Sequence, residues 1–440
     1  MSIVLTRLKP LLMSISIVRI YLLSCLLGAG LSQAQTLEAF LEASASGNVD
    51  VGLSRNAEAR ASTDSAQTWS GLLPALSVNA GYVHNQYAAV VTIPTGVGTS
   101  DKITITPNDQ LDATLKVEVP LVDASRWLRV ASAESNAAAA RQRTEQSKDQ
   151  VDRQIVTAFY ALAGAEAVLE SAQRSFKVAQ AQLEQAQSRF KAGVANELEL
   201  VRAEAEVQRC RQVTDDADAL VLNNRTSLQL LTGLEVKKLQ VPAADDLRPA
   251  PELATLVSGV DQLPELKAAQ ADVNTQKQNH AAAGLALVPT VSAQFTQRFT
   301  NATGFQGQNA LWNAGVNLNW RLDVAGLHAI RGASLVEQAA ALNAQKARQQ
   351  AAQRLEQDWR RVTTSIAKVS SAQAQFKAAE RGSSLAHQRY EAGVASQLDA
   401  ISADRDLFAA EVNNISAGFE LAAARAALQL SAGRALKVNP

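Results

Sequence analysis

The residue types that build hydrolytic and metal sites occur in this chain, but their spacing matches no catalytic pattern. There is no glycine-rich phosphate loop with a lysine, no His-Glu-x-x-His motif and no Gly-x-Ser-x-Gly motif. The four histidines lack the spacing of metal ligands: His84, His280, His328 and His387. We therefore expect a protein that is not an enzyme, with no catalytic residues, no metal and no cofactor.

One polar phrase recurs, and it surrounds a glycine. "SRFKAGVANELELV" begins at Ser188, and "QRYEAGVASQLDAI" follows two hundred residues later. An arginine and an aromatic residue precede Gly193 and Gly393, and an acid follows each. Because glycine adopts positive φ at little cost, the phrase predicts a sharp reversal between two helices. The acids, Glu199 and Asp399, also suit the first turn of the next helix, where negative charge complements the helix dipole.

Two long helical segments lead into these phrases. The stretch from Arg126 to Phe190 has no proline and a single glycine, and the stretch from Leu327 to Tyr390 is equally rich in good helix formers. About 65 residues at 1.5 Å per residue make a rod of about 100 Å. Since a shorter helix follows each phrase, coiled-coil hairpins are predicted over residues 126–232 and 327–433.

Alternating apolar and polar residues predict strands ahead of each long helix. Leu111, Leu115 and Val119 alternate with charged and polar side chains, and similar runs predict β-hairpins over residues 75–120 and 290–321. Each strand has about ten residues, the length of a tilted strand across a bilayer. A half-buried soluble hairpin shows the same pattern. In lipid, however, the open edges of four strands must be closed by strands from other chains.

The chain is therefore an internal repeat in which each half reads helix, strand, strand, long helix, helix. The first repeat is predicted over residues 35–233 and the second over 252–433. Each starts with a helix that has the length to stack on the shorter hairpin helix. An irregular connector with prolines covers residues 234–251, and residues 434–440 form a C-terminal tail.

Residues 1–34 have the organisation of a signal peptide. Positive charges precede an apolar run from Ile20 to Leu31, and small residues at Ser32 and Ala34 predict cleavage after Ala34. The apolar run is too short to span a bilayer. The alternative is a lipoprotein signal, in which "LLSC" makes Cys25 the lipidated N-terminus. The zero net charge gives no reason to expect nucleic acid as a partner.

The repeated phrase, the element order and the helix ends "LQLLTG" and "LQLSAG" resemble the outer-membrane efflux protein family, the TolC-like channels. The resemblance covers nearly the whole chain after the signal. It implies a mainly α fold with a membrane β-barrel portion, in which a homotrimer forms an α-helical periplasmic tunnel and a shared twelve-stranded β-barrel in outer-membrane lipid. It also implies a passive duct that docks to a periplasmic adaptor (membrane fusion) protein and an inner-membrane transporter of RND or ABC type.

The resemblance gives roles to residues of the repeated phrase. The hairpin tips that dock the adaptor are Gly193, Val194, Ala195, Gly393, Val394 and Ala395. The positions that match the family's periplasmic gate are Tyr390, Asp399 and Glu199. Two positions depart from the family: Ala395 stands where an arginine joins the gate, and Ser402 stands where a second acid is found. Arg389 and Arg405 lie nearby but do not match the motif.

Two other functions are compatible with the sequence. A periplasmic structural or adaptor protein has similar coiled coils, with its strands folded as a small soluble sandwich. A general diffusion porin works without a pump. The expected function is the exit duct, which exports small molecules (drugs or metal ions) or proteins. The sequence does not distinguish these substrates, because the pump selects them.

Overall fold

The computed structural model describes residues 35–96, 98–241 and 247–434, and most of them are helical. The helices are α1 (Leu37–Gly47), α2 (Val49–Ser70), α3 (Ala124–Lys191), α4 (Glu197–Thr232), α5 (Leu253–Val260), α6 (Pro264–Leu285), α7 (Val324–Glu391) and α8 (Gln397–Ser431). The strands are β1 (Ala75–His84), β2 (Ala89–Gly96), β3 (Thr99–Thr106), β4 (Asp109–Val122), β5 (Thr290–Thr300) and β6 (Ala310–Asn319). A short 3-10 helix, Gly304–Gln306, lies between β5 and β6. The predicted signal peptide, with Cys25 and the cleavage site after Ala34, lies outside the described residues.

The two long helices, α3 and α7, have 68 residues each. At 1.5 Å per residue each is about 100 Å long. Both begin at an aspartate cap. Asp123 accepts a hydrogen bond from the Arg126 N–H at 3.0 Å, and Asp323 accepts one from the Gly326 N–H at 2.7 Å. Because neither helix contains proline, the backbone hydrogen-bond ladder is not interrupted.

Helices stacked end to end cover each long helix. In the first repeat, α4 packs along the tip half of α3 and α2 packs along the half nearer the strands. In the second repeat, α8 and α6 pack in the same way on α7, and α6 also contacts α3. At the first joint, the Asn48 amide Nδ2 donates to the Leu231 carbonyl at 2.9 Å, near the end of α4. A direct hydrogen bond therefore joins the two helices that are stacked end to end on α3.

The opening helix of each repeat is divided in two, whereas the sequence pattern predicts one continuous helix. Asn48 ends α1, and its Oδ1 accepts from the Asp50 N–H at 2.9 Å to cap α2. In the second repeat, α5 ends at Val260 and Pro264 opens α6. Both breaks follow from residues that favour helix starts.

The largest apolar core lies where the stacked helices meet. Phe40 packs against Phe159 with ring centroids 6.0 Å apart, and Phe159 meets Tyr160 edge to face at 5.4 Å. The helix α3 contains a stretch that is long and apolar enough by composition to cross a membrane, but half of that stretch is buried inside the protein. Alanines dominate the buried seam toward the tips, for example Ala179, Ala186 and Ala203, and they let the helices approach closely.

The strands form one antiparallel four-stranded sheet in the order β1-β4-β5-β6. The β4–β5 pairing joins the two repeats, with Val117 opposite Phe295. A separate ribbon of β2 and β3 extends between β1 and β4. The sequence pattern does not predict this ribbon, because Pro94 and the glycines of this stretch obscure its alternation.

The strand register places the apolar side chains of all four strands on one face. Val78 faces Leu115, Val117 faces Phe295, and Phe295 faces Ala314 in successive pairs. The large exposed side chains on this face include Val78, Leu111, Phe295, Trp312, Val316 and Leu318. Among the described strands, β1 and β6 each have one edge without a partner. An exposed apolar face with this many large side chains marks an interaction surface.

Candidate functional site at the hairpin ends

The first long hairpin reverses direction at Gly193. Its φ is 72°, and its N–H donates to the Phe190 carbonyl at 2.9 Å. The Val194 N–H donates to the Arg189 carbonyl at 3.0 Å. These bonds satisfy the last carbonyls of α3 with a left-handed cap. Because no atom lies within 4 Å of a Cβ built on Gly193, conformation rather than space requires glycine there.

The second hairpin repeats this geometry at Gly393. Its φ is 74°, and its N–H donates to the Tyr390 carbonyl at 3.0 Å. The Val394 N–H donates to the Arg389 carbonyl at 2.9 Å, and the Ala395 N–H donates to the same carbonyl at 3.2 Å. Val194 and Val394 are each 67% exposed. The two tips therefore present the same short apolar end to solvent.

The helices that leave the two tips start differently. In α4, the Asn196 side chain accepts from the Glu199 N–H at 2.9 Å. In α8, Ser396 and Asp399 form a reciprocal capping box. The Asp399 carboxylate accepts from the Ser396 N–H at 2.9 Å and from its hydroxyl at 2.8 Å. These hydrogen bonds hold the pKa of Asp399 below its usual value. The Asp399 carboxylate thus serves the local helix cap, and its role in the gate stays a prediction.

Tyr390 connects the two hairpins. The Arg189 guanidinium lies over its ring, with 5.1 Å from the guanidinium carbon to the ring centroid. Burial raises the pKa of Tyr390, the Arg189 charge opposes that rise, and the neighbouring Glu199 carboxylate adds to it. The second carboxylate oxygen of Glu199 is buried and accepts no hydrogen bond from the described residues. The structure therefore brings Tyr390 and Glu199 together and adds Arg189, while Asp399 lies in its own cap.

The local sequence does not single out Arg189. It precedes Phe190 as Arg389 precedes Tyr390, so the repeat offered two equivalent arginines. Only the relative placement of the two hairpins decides which arginine meets the tyrosine. That placement is a tertiary property and has no local sequence signal.

A polar cluster lies a few turns above the tips, between α3, α7 and α8. Asp404 of α8 accepts hydrogen bonds from Ser383 Oγ at 2.6 Å and from Gln182 Nε2 at 2.7 Å. His387 Nε2 lies 2.9 Å from the same carboxylate. Since Gln182 belongs to α3 and the others to the second hairpin, the cluster fixes one hairpin against the other.

A second cluster joins α4 to α8. Glu206 is 5% exposed and carries a carboxylate between Arg209 and Arg405. Burial disfavours its charge, but hydrogen bonds from both arginines outweigh this effect and lower the pKa of Glu206. Cys210 is also buried here, and desolvation raises the pKa of its thiol. From the sequence, Arg405 is only a residue that lies near the gate positions. In the structure it forms an ion pair with Glu206.

The remaining titratable residues do not gather into a metal site. Within residues 35–96, 98–241 and 247–434, no group of three His, Cys, Asp or Glu side chains is arranged to hold an ion. His84 lies on β1 beside Asp109, and His280 lies on α6 beside Glu337. These histidines therefore belong to separate polar pairs.

The chain thus combines an exposed apolar sheet face with two long helical hairpins that have matching tips. The family model described as "Outer membrane efflux protein" matches residues 43–234 and 260–434, and the chain belongs to that family. The match spans both repeats and both tips. No curated protein sequence matches the chain.

Solved channels share this fold at low sequence identity. The CmeC outer membrane channel of Campylobacter jejuni is 17% identical, with a TM-score of 0.76 over 90% of this chain and 85% of that one. The outer membrane protein VceC of Vibrio cholerae is 16% identical, with a TM-score of 0.74 over 90% and 96%. The open state of the MtrE channel of Neisseria gonorrhoeae is 17% identical, with a TM-score of 0.73 over 90% and 89%.

Proposed function

We propose that this protein is the outer-membrane exit duct of a tripartite efflux or type I secretion system. The observation that carries the proposal is the exposed apolar face of the four-stranded sheet, together with the unpaired edges of β1 and β6. In lipid, unpaired strand edges cost several kcal/mol for each unsatisfied group. Three chains that contribute four strands each would close a twelve-stranded barrel and remove every edge.

The helical part of the duct then extends into the periplasm. Each long helix reaches about 100 Å from the sheet, and three copies would enclose a water-filled tunnel. The surfaces left exposed along α7, for example Leu335 and Leu342, fit burial against neighbouring protomers. The channel consumes no energy, since the inner-membrane transporter, of RND or ABC type, drives transport.

The tips would combine docking and closure. The exposed turns at 193–195 and 393–395 are the surface for the periplasmic adaptor. The contact of Tyr390 with Arg189 and Glu199 would hold the two hairpins together in the closed entrance. Adaptor binding would loosen this contact and widen the entrance. Exported substrates are small molecules (drugs or metal ions) or proteins, selected by the pump.

Substitution at the tip tests this proposal. Ala395→Glu places charge and bulk beside the second turn, and we expect drug export by intact cells to fall at least tenfold with normal protein abundance in the outer membrane. Ala66→Glu, on the exposed side of α2, is the matched control and should leave export unchanged. Export that survives Ala395→Glu would place the docking surface elsewhere.

The barrel part of the proposal has its own test. Fractionation without detergent should recover the protein in the outer-membrane fraction, and cross-linking should give a trimer. A soluble monomer would show that the sheet folds as a small periplasmic sandwich instead. Recovery in the membrane without adaptor in a pull-down would favour a pump-independent diffusion porin.

A further inference from the structure

The face of the sheet opposite the apolar face carries a balanced set of charges. Strand alternation places Asp112, Lys116 and Glu118 of β4 on this face, together with Arg298 of β5. Two of the four side chains are positive and two are negative. This face therefore has no net charge.

Each of these charges has its partner within hydrogen-bond distance. The Arg298 guanidinium donates through Nε at 2.8 Å and through Nη2 at 2.6 Å to the Asp112 Oδ1, across the β4–β5 pairing. Lys116 Nζ donates to the Glu118 Oε2 at 2.8 Å along β4. Neighbouring copies are not needed to neutralise any of them.

The rest of this face is mostly hydroxyl and amide side chains. Representative residues are Asn79, Thr114, Gln294, Thr296, Asn313 and Asn317. Amides and hydroxyls both donate and accept hydrogen bonds, so they interact with solutes of either charge and with uncharged solutes. The described strands carry no aromatic residue on this face.

We infer that this face is a charge-neutral channel wall suited to uncharged and zwitterionic small organic molecules rather than to metal cations. The inference rests on the proposed function, because it requires the apolar face to lie against lipid and the polar face to line the lumen. Threefold assembly multiplies every lumen residue by three. A single unpaired acid per chain would therefore create a ring that concentrates cations. On this sheet face each acidic side chain is paired with a basic side chain of the same chain.

Reversal potentials of the purified trimer in planar bilayers test the wall. In a tenfold KCl gradient we expect a wild-type potassium-to-chloride permeability ratio within about twofold of one. Arg298→Gln leaves Asp112 unpaired and should shift the ratio toward potassium by at least threefold. Asp112→Asn leaves Arg298 unpaired and should shift it toward chloride. The double variant should return to the wild-type ratio, and Arg298→Lys should stay close to it.

Liposome swelling adds a solute test that does not depend on salt. Glucose, glucosamine and gluconate are similar in size but differ in charge, and we expect their entry rates to agree within about twofold. Strong selectivity for potassium that persists when Asp112 and Arg298 are both neutralised would overturn the inference. So would single variants with unchanged ratios. The recordings and the swelling assay use a Tyr390→Ala background, because the proposed contact of Tyr390 with Arg189 and Glu199 closes the entrance of the isolated trimer. If that opened trimer shows no conductance and no swelling, the channel function itself fails, and the neutral wall fails with it.

Discussion

Arg405 on α8 donates to the Glu206 carboxylate on α4 through Nε at 2.9 Å and Nη2 at 2.5 Å. Arg209 donates to the same carboxylate from within α4, with Nε 3.0 Å from Oε1. The helices α4 and α8 make few other contacts. This charged contact is therefore a principal link between the shorter helices of the two hairpins.

Removing one member of this contact should destabilise the protein more than removing a surface pair. We expect Arg405→Gln to lower the free energy of unfolding by about 2 kcal/mol, because Glu206 loses a donor in a buried setting. Thermal unfolding of the detergent-solubilised protein measures the change. Lys148→Gln, which breaks an exposed pair with Glu145, is the control and should cost less than about 1 kcal/mol. Equal losses in the two variants would show that the buried contact contributes no more to the free energy of unfolding than the exposed pair.

The two glycines at the tips allow a direct measurement of backbone strain. Gly393 has φ 74° and no atom within 4 Å of a built Cβ. We therefore expect Gly393→Ala to cost about 1 kcal/mol through conformation alone. Gly382→Ala in the helical part of α7 should instead be neutral or stabilise by up to about 1 kcal/mol, since no atom lies within 4 Å there either. Thermal unfolding compares the two variants. A stabilising Gly393→Ala would contradict the left-handed cap.

Much of this fold follows from local sequence rules. The absence of proline and the good helix formers predict the long helices, the repeated glycines predict the turns, and period-two alternation predicts β1, β4, β5 and β6. The β2–β3 ribbon cannot be predicted in this way, because its sequence does not alternate cleanly around Pro94. The break at Asn48 has a local cause, because its Oδ1 caps α2, but asparagine is also common inside helical stretches, so the pattern alone does not reveal the break. The candidate site likewise has some features that local sequence predicts and others that it does not.

The tip residues themselves could be predicted, because glycine, aromatic and acidic positions recur in both repeats. The contact of Arg189 with Tyr390 and the link of Glu206 to Arg405 could not. Both depend on how two hairpins lie side by side. Local propensity and spacing describe each hairpin separately and leave that arrangement undetermined.

A close backbone contact joins α5 to the end of α8. A Cβ built on Gly259 would lie 2.3 Å from the Ala432 carbonyl oxygen. Because both groups are backbone or directly attached to it, neither can move without shifting a helix. We expect Gly259→Ala to cost about 1–3 kcal/mol in thermal unfolding. Gly284→Ala in α6, with open space around it, is the control and should be neutral or slightly stabilising. Tolerance of Gly259→Ala would show that α5 and the end of α8 are not in close contact there.

Asp152 on α3 should make stability fall as pH rises. Burial and then the neighbouring Asp149 raise its pKa to about 6, while Lys148 opposes the shift. Below about pH 3 the carboxyl is protonated in both the folded and the unfolded chain, so its contribution is unchanged. As the pH rises to about 6, the unfolded chain loses the proton first, and the folded state is progressively disfavoured.

Asp152→Asn removes this penalty. We expect it to raise the free energy of unfolding at pH 7.5 by on the order of 1 kcal/mol after allowance for solvent screening, with little change at pH 4. Thermal unfolding at the two pH values gives the comparison. A gain from Asp152→Asn that is the same at pH 4 as at pH 7.5 would mean that packing, not ionisation, is responsible.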